Sequence, residues 1–299
     1  MSIKLRQKRK HVLHRLLKPT TAALIITGLL LLAIPSAAQA KTTETATVKV
    51  YLERGGITRF EEYIPLSTEL GLPPGFFYKA NVYAVNFREG IVLIDCGVEE
   101  LYSDLIEAIG QRFPNRPILA VLLTHGHADH AGAGHYFIEA GIPVYASIID
   151  SYLIQMGMNF PGVPGDFTYT GYTPTALLSG GETLFGLKVI PTPGHTYGSL
   201  SFLEMKTRSL FSGDTTISYS SDDVAPEDMT FELEYQTLLA TDKVSLGMQL
   251  DSLNSLLDLV NGGQVKSIHP GHNRSYHGKD VPVYLQKSID VVTAALANN

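Results

Sequence analysis

The chain has no tryptophan and one cysteine in 299 residues. A single thiol excludes an intramolecular disulfide, so the fold must be held by its core. Cys96 sits in the apolar run "GIVLIDCGV" and reads as a small buried hydrophobe rather than a nucleophile. Long hydrophobic runs are also missing. The apolar stretch Ala22 to Ile34 has 13 residues, against roughly 20 needed to cross a bilayer as a helix.

Acidic residues are absent from the first forty positions, which hold seven Lys/Arg, then the apolar stretch, then small residues. That order is the pattern of a secretory signal peptide, with Ala38 to Ala40 at the cleavage site. The competing reading is an uncleaved anchor. The expectation is a leader over 1–40 and one domain over 41–299, secreted or periplasmic, with no membrane association after cleavage. Removing seven of 23 basic residues leaves 16 against 29 acids, a formal charge of −13. Such a surface repels nucleic acid. The expected partner is a small molecule, and an anionic one needs a local positive centre such as a bound metal.

What is present is a regular alternation of apolar segments. Residues 46–52, 81–87 and 90–95 read as strands, the last two joined by a turn at Arg88 to Gly90. Residues 99–113 have helical spacing, and 117–124 is the continuous apolar run of a strand buried on both faces. Helix-like 132–141 and strand-like 142–147 follow. Further strands are expected at 187–192, 199–204, 209–214 and 264–270. Helices are expected within 232–263 and over 281–299. Strand and helix in alternation imply an α/β fold with helices covering a sheet. The Gly-, Pro- and aromatic-rich stretch 151–175 is expected to be irregular.

Four of the ten histidines fall in "HGHADHAGAGH", 125–135, just past the apolar run. The segment admits two readings, a metal site or a polar surface loop. On an extended segment alternate side chains share a face, so His125 and His127 can address one point. Asp129 and His130 lie beyond a turn and can address a second. Imidazole with carboxylate suits a borderline cation such as Zn²⁺. Further polar residues end apolar strands: His195 in "PGHTYGS", Asp214 in "SGDT", and His269 and His272 in "HPGHN". Strand ends are where sites form in α/β sheets.

The motifs "THGHADH", "PGHTYGS", "SGDT" and "PGHN", in that order, resemble the metallo-β-lactamase fold superfamily of metallohydrolases, from about residue 45 to the C-terminus. "VLIDCG" is similar to that family's early Asp-containing strand. The resemblance implies a four-layered αβ/βα sandwich with a metal pair at one edge of two sheets, by default two Zn²⁺, with Fe or Mn as alternatives. It implies that His125, His127 and His195 bind one ion, that Asp129, His130 and His272 bind the other, and that Asp214 bridges them. His269 competes with His272 for the last place. Asp95 is expected to orient a ligand histidine from behind. His135 and Ser199 are expected to be structural and His277 to be a surface residue.

Activity then follows the family: a hydroxide between the ions attacks a carbonyl or phosphorus, with Asp129 holding the nucleophile. The expected bond is an ester, lactone or amide-like bond, including β-lactams, with thioesters and phosphodiesters as the alternatives. Export weighs against a thioester and the negative charge against nucleic acid. A binding protein without turnover is the non-enzymatic alternative. A redox di-iron relative would carry an acid where this chain has His127. Tyr152, Met156, Phe160, Tyr169, Tyr172, Tyr219 and Phe231 are candidates for pocket walls, or for packing beneath a loop.

Overall fold

Successive side chains of a strand leave it on opposite faces, and here that alternation separates distinct cores. The computed structural model describes residues 47–65, 77–157, 168–216 and 243–298, all within the unit Thr43–Asn299. The leader over 1–40 lies outside the described residues. The strands are β1 (Thr47–Leu52), β2 (Ile57–Pro65), β3 (Phe77–Asn86), β4 (Ile91–Ile94), β5 (Ile118–Leu122), β6 (Val144–Ser147) and β7 (Ala176–Leu178), followed by β8 (Thr183–Leu184), β9 (Leu187–Pro191), β10 (Leu200–Glu204), β11 (Ser209–Gly213), β12 (Ser267–Pro270) and β13 (Tyr276–His277). The helices are α1 (Tyr102–Arg112), α2 (Ala128–Ala131), α3 (Gly134–Glu139), α4 (Ser151–Met156), α5 (Lys243–Asn261) and α6 (Asp280–Asn298).

The first sheet runs β1 to β7 in chain order, and the second runs β13-β12-β11-β10-β9-β8. β4 to β7 pair in parallel, as do β11 and β12. Ile91 and Leu93 of β4, with Val121 of β5, pack outward with Leu105 and Ile109 of α1 and Phe137 of α3. Their neighbours Val92, Ile94, Ala120 and Leu122 face inward and meet Val189, Phe202 and Phe211 of the second sheet. On the far side, Leu203 and Leu210 meet Leu253 and Leu256 of α5 and Leu285 and Ile289 of α6. Helix, sheet, sheet and helix are therefore stacked as four layers, each interface closed by apolar burial. No helix among the described residues is long and apolar enough to cross a membrane.

Most of the expected elements are present within a few residues. The differences have physical causes. The stretch 151–175 is not irregular throughout: Ser151–Met156 is helical and ends on Gly157, whose left-handed φ of 59° closes the helix. Strand β2 was not legible because "ITRFEEYIP" places Arg59, Glu61 and Glu62 inside the protein, against the usual polarity of a buried face. Two-residue β8 and β13 are too short to leave a period.

Candidate metal centre

Five strand ends on one edge of the sandwich supply the polar side chains. Asp95 follows β4, and the segment from Thr124 to His130 follows β5 and enters α2. His195 lies in the turn after β9, Asp214 follows β11, and His272 follows β12. Asp95 adopts a left-handed φ of 62°, a conformation Asp tolerates better than most residues. The turn directs its carboxylate back under the β5 segment. At Gly271 a side chain would run into Asp214 and the His130 ring, which explains a glycine directly before His272.

The seven expected residues converge, all buried, in two groups. One holds His125, His127 and His195, the other Asp129, His130, Asp214 and His272, with one ligand-type atom from each residue within 4.8 Å of the others in its group. In the first group, Nε2 of His195 lies 2.9 Å from Nδ1 of His127. In the second, Nε2 of His130 lies 3.2 Å from Oδ2 of Asp129 and 3.3 Å from Oδ1 of Asp214. Asp214 reaches both groups: its Oδ2 is 2.9 Å from Nε2 of His272, 3.4 Å from Nε2 of His195 and 3.8 Å from Nε2 of His125.

The outward ring nitrogens are already occupied. Nδ1 of His130 donates to Oδ2 of Asp95 at 2.9 Å, and Nδ1 of His125 lies 3.0 Å from Oγ1 of Thr124. Nδ1 of His272 donates to the Lys79 carbonyl. In each case Nε2 is left as the inward-facing nitrogen, the one a metal ligand offers once it carries no proton.

Asp95 therefore sits where sequence reasoning put it, but Thr124 and Asp150 were missed. Asp95 accepts from the Thr124 amide at 2.7 Å and hydroxyl at 2.9 Å. Asp150 accepts from the Gly126 amide at 3.0 Å and the Thr196 hydroxyl at 2.7 Å, tying the His125–His127 segment to the His195 turn. The signal for Asp150 was available: it is the only charged residue between Glu139 and Asp166.

Burial, reinforced by neighbouring imidazoles, holds His125 and His127 well below the ordinary histidine value. Burial likewise brings His195 down to about 4. All three are neutral donors at physiological pH. For His130 burial works the same way but is outweighed by Asp129, Asp214 and Asp95, which raise it. His272 is raised by Asp214 and Asp129 against the same opposition. Burial would lift the Asp214 pKa, yet His272, His130 and His195 hold it well below the carboxylate range.

This donor set fits a divalent cation pair. His125 Nε2, His130 Nε2 and Asp214 Oδ1 are buried without a hydrogen bond of good geometry, an arrangement costly to maintain unless something else satisfies those atoms. Two nitrogens on a tetrahedral cation at 2.0–2.1 Å stand about 3.3 Å apart, inside the range of separations seen here.

The remaining sequence candidates lie outside both groups. Nδ1 of His269 bonds Ser275 at 2.8 Å and its ring packs against Phe211 and Tyr83, so His272 alone of the pair enters the cluster. His135 is buried 3.6 Å from Glu99, and Ser199 accepts the Thr196 amide within its turn. His277 is not a free surface residue: it pairs in β13 and bonds Ser267 at 2.9 Å and Glu53 at 3.3 Å. Tyr169 and Tyr172 are not pocket walls. Both are buried beneath the ligand segment, donating to the carbonyls of Gly126 and Ala131 at 2.8 and 2.7 Å. Tyr152 and Met156 are exposed. Phe160, Tyr219 and Phe231 lie outside the described residues.

Comparison with known proteins gives a consistent picture. The metallo-beta-lactamase superfamily matches residues 75–272. The chain is 35 % identical over 148 residues to the uncharacterized protein YobT of Bacillus subtilis (strain 168), covering 46 % of this chain and 62 % of that one. It thus spans less than two thirds of that relative's length. It is 27 % identical over 217 residues to the acyl-coenzyme A thioesterase MBLAC2 of Gallus gallus, covering 65 % and 72 %. The probable metallo-hydrolase MJ0888 of Methanocaldococcus jannaschii is 27 % identical over 205 residues, covering 66 % and 89 %. Among solved structures, the DIM-1 metallo-beta-lactamase shares the fold with a TM-score of 0.62 at 17 % identity, covering 84 % of this chain and 100 % of that chain. With its four layers and its three-histidine and Asp/His groups at one edge of the sheets, the chain belongs to the metallo-beta-lactamase superfamily of metallohydrolases.

Proposed function

We propose that the protein is an exported hydrolase that uses two zinc ions to cleave an ester, lactone or amide-like bond in a small substrate. His125, His127 and His195 would hold one ion and Asp129, His130 and His272 the other, with Asp214 within reach of both groups. The observation that carries this reading is the combination of inward-facing Nε2 atoms, their outward nitrogens already bonded, with a carboxylate reaching both groups. Such ions, when bound, supply Lewis acidity and draw the pKa of water from 15.7 towards ~7.

The chain's own residues do the rest. Asp129 lies 3.2 Å from His130 and 3.6 Å from His272, and those imidazoles, against the effect of burial, hold its carboxylate ionised. It is the group able to take a proton from the attacking water and return it to the leaving atom. Asp95 and Thr124 keep His130 and His125 from rotating, and Asp150 fixes the turn carrying His195. Export is read from the basic, apolar and small-residue order of the first forty positions.

A second reading, thioester hydrolysis, draws support from the thioesterase relative. The test is a panel of chromogenic ester, lactone, cephalosporin and acyl-thioester substrates before and after chelation, with Asp129→Ala as control. Turnover of an ester, lactone or cephalosporin, lost on chelation and in the variant, supports the proposal, and turnover of the acyl-thioester alone supports the second reading. Turnover indifferent to both contradicts it.

A further inference from the structure

Strand β2 of the first sheet buries charge for which the metal centre itself has no direct use. Arg59 and Glu61 of β2 are 3 % and 0 % exposed and pair with each other, with Glu53 3.2 Å from the guanidinium on its other side. A buried ion pair is weak evidence for stability, since an apolar pair of similar volume commonly does as well. Its neighbours indicate another role. Arg59 pairs across the ladder with Tyr83, and Glu61 with Asn81, so these four side chains form one row on the inner face of β2 and β3.

That row grips the segment carrying His272. The Asn81 side chain donates to the Pro270 carbonyl at 3.0 Å and the Asn273 carbonyl at 2.7 Å. Tyr83 donates to Pro270 at 2.7 Å and Arg59 to Asn273 at 2.9 Å. The Asn81 amide holds the Gly271 carbonyl at 2.8 Å. Three of the four carbonyls from Pro270 to Asn273 are thus fixed by β2 and β3, although the segment belongs to the second sheet. The next strand position, Lys79, takes the His272 ring itself.

We propose that Arg59, Asn81 and Tyr83 are positioning residues for the second cation subsite: they lock the second sheet's His272 at the distance from Asp129 and His130 that a cation requires. The three-histidine subsite is braced instead by Thr124 and Asp150, so the row acts on one ion and not the other. The inference rests on the functional reading above in taking His272 as a ligand.

The test is titration of the chelator-stripped full chain with Co²⁺ and with Zn²⁺, comparing wild type, Asn81→Ala and Tyr83→Phe, with the melting temperature of each metal-free protein. Weakening of the second equivalent by about 10- to 100-fold, the usual effect of losing an outer-shell partner, with the first unchanged, is the expected result. Tyr83→Phe, which deletes one hydroxyl, gives a smaller effect of the same kind and carries the test if Asn81→Ala does not fold. Two equivalents with wild-type constants, or both weakened together, overturns the proposal. If the wild type takes up no cation, the functional reading fails, and the row is judged by hydrogen exchange in the metal-free protein. Faster exchange confined to residues 269–274 in Asn81→Ala upholds the clamp, and unchanged exchange there overturns it.

Discussion

Oδ2 of Asp95 accepts the Nδ1 proton of His130 at 2.9 Å. The same oxygen accepts the Thr124 hydroxyl, which in turn faces Nδ1 of His125 at 3.0 Å. One buried carboxylate therefore orients a histidine in each subsite. Asp95→Ala should lower affinity for both cations by about 10- to 100-fold, with hydrolysis falling in step and partly restored by excess metal. Metal titration followed by rate measurement at saturating zinc checks this, and an unaltered variant would remove Asp95 from the account.

Asp150 acts on the other side of the centre. Asp150→Ala leaves the Gly126 amide and the Thr196 hydroxyl without their buried acceptor, at about 1–3 kcal/mol for each group stranded. The melting temperature and the turnover number should both drop. Asp150→Asn should fall between, because an amide oxygen in place of Oδ2 can still accept both bonds while the amide nitrogen cannot accept from the Gly198 backbone. Thermal denaturation and kcat of the three proteins decide it, and an alanine variant that melts and turns over like wild type contradicts the assignment.

Glu62 gives a pH signature. Burial raises its pKa from 4.5 to about 8, opposed by the Val98 amide bonded at 2.9 Å and reinforced by the charge on Asp129. The folded state keeps a proton that the unfolded chain releases. The stabilisation is therefore complete below about pH 4.5 and is lost as pH rises through 8. In metal-free protein, the melting temperature of wild type should fall between pH 5 and pH 8 relative to that of Glu62→Gln. Parallel curves across that window would refute the protonated state.

Cys96 is fully buried, with Sγ 3.2 Å from the His130 carbonyl, and burial pushes its thiol well above the ordinary range. Thiol reagents should leave the native enzyme unmodified and active, and Cys96→Ala should keep turnover with modest loss of stability. Mass spectrometry after alkylation, with and without denaturant, measures this directly. Rapid inactivation by alkylation under native conditions would contradict it.

The seven clustered residues were legible in the sequence because each follows an apolar strand within a few positions, and strand ends gather at one sheet edge whatever the loops between them do. The cores were legible from "VLID" and "ILAVLL" for the same reason: two buried faces leave an uninterrupted apolar run. What supports the site was less visible. Arg59 and Asn81 look solvated in a linear reading, since the carbonyls they serve lie more than 180 residues away, and Glu61 looks solvated because its partner Arg59 does. Thr124 is silent because a threonine at a strand end has many ordinary uses. For Tyr169 and Tyr172 the sequence left pocket wall and packing beneath a loop equally open, because a loop rich in aromatics can pack inward as readily as it can line a cavity, and the structure shows the packing.

The central claim is that these side chains grip two cations. Its most direct measurement is a crystal structure of the zinc-loaded protein with anomalous scattering recorded on both sides of the zinc edge, alongside the metal content of Asp214→Ala. The account predicts two peaks, one among His125, His127 and His195 and one among Asp129, His130 and His272, with Asp214 between them and reduced occupancy in the variant. A fully remetallated crystal with no peak at these residues, or a variant that keeps both ions and full turnover, would contradict it.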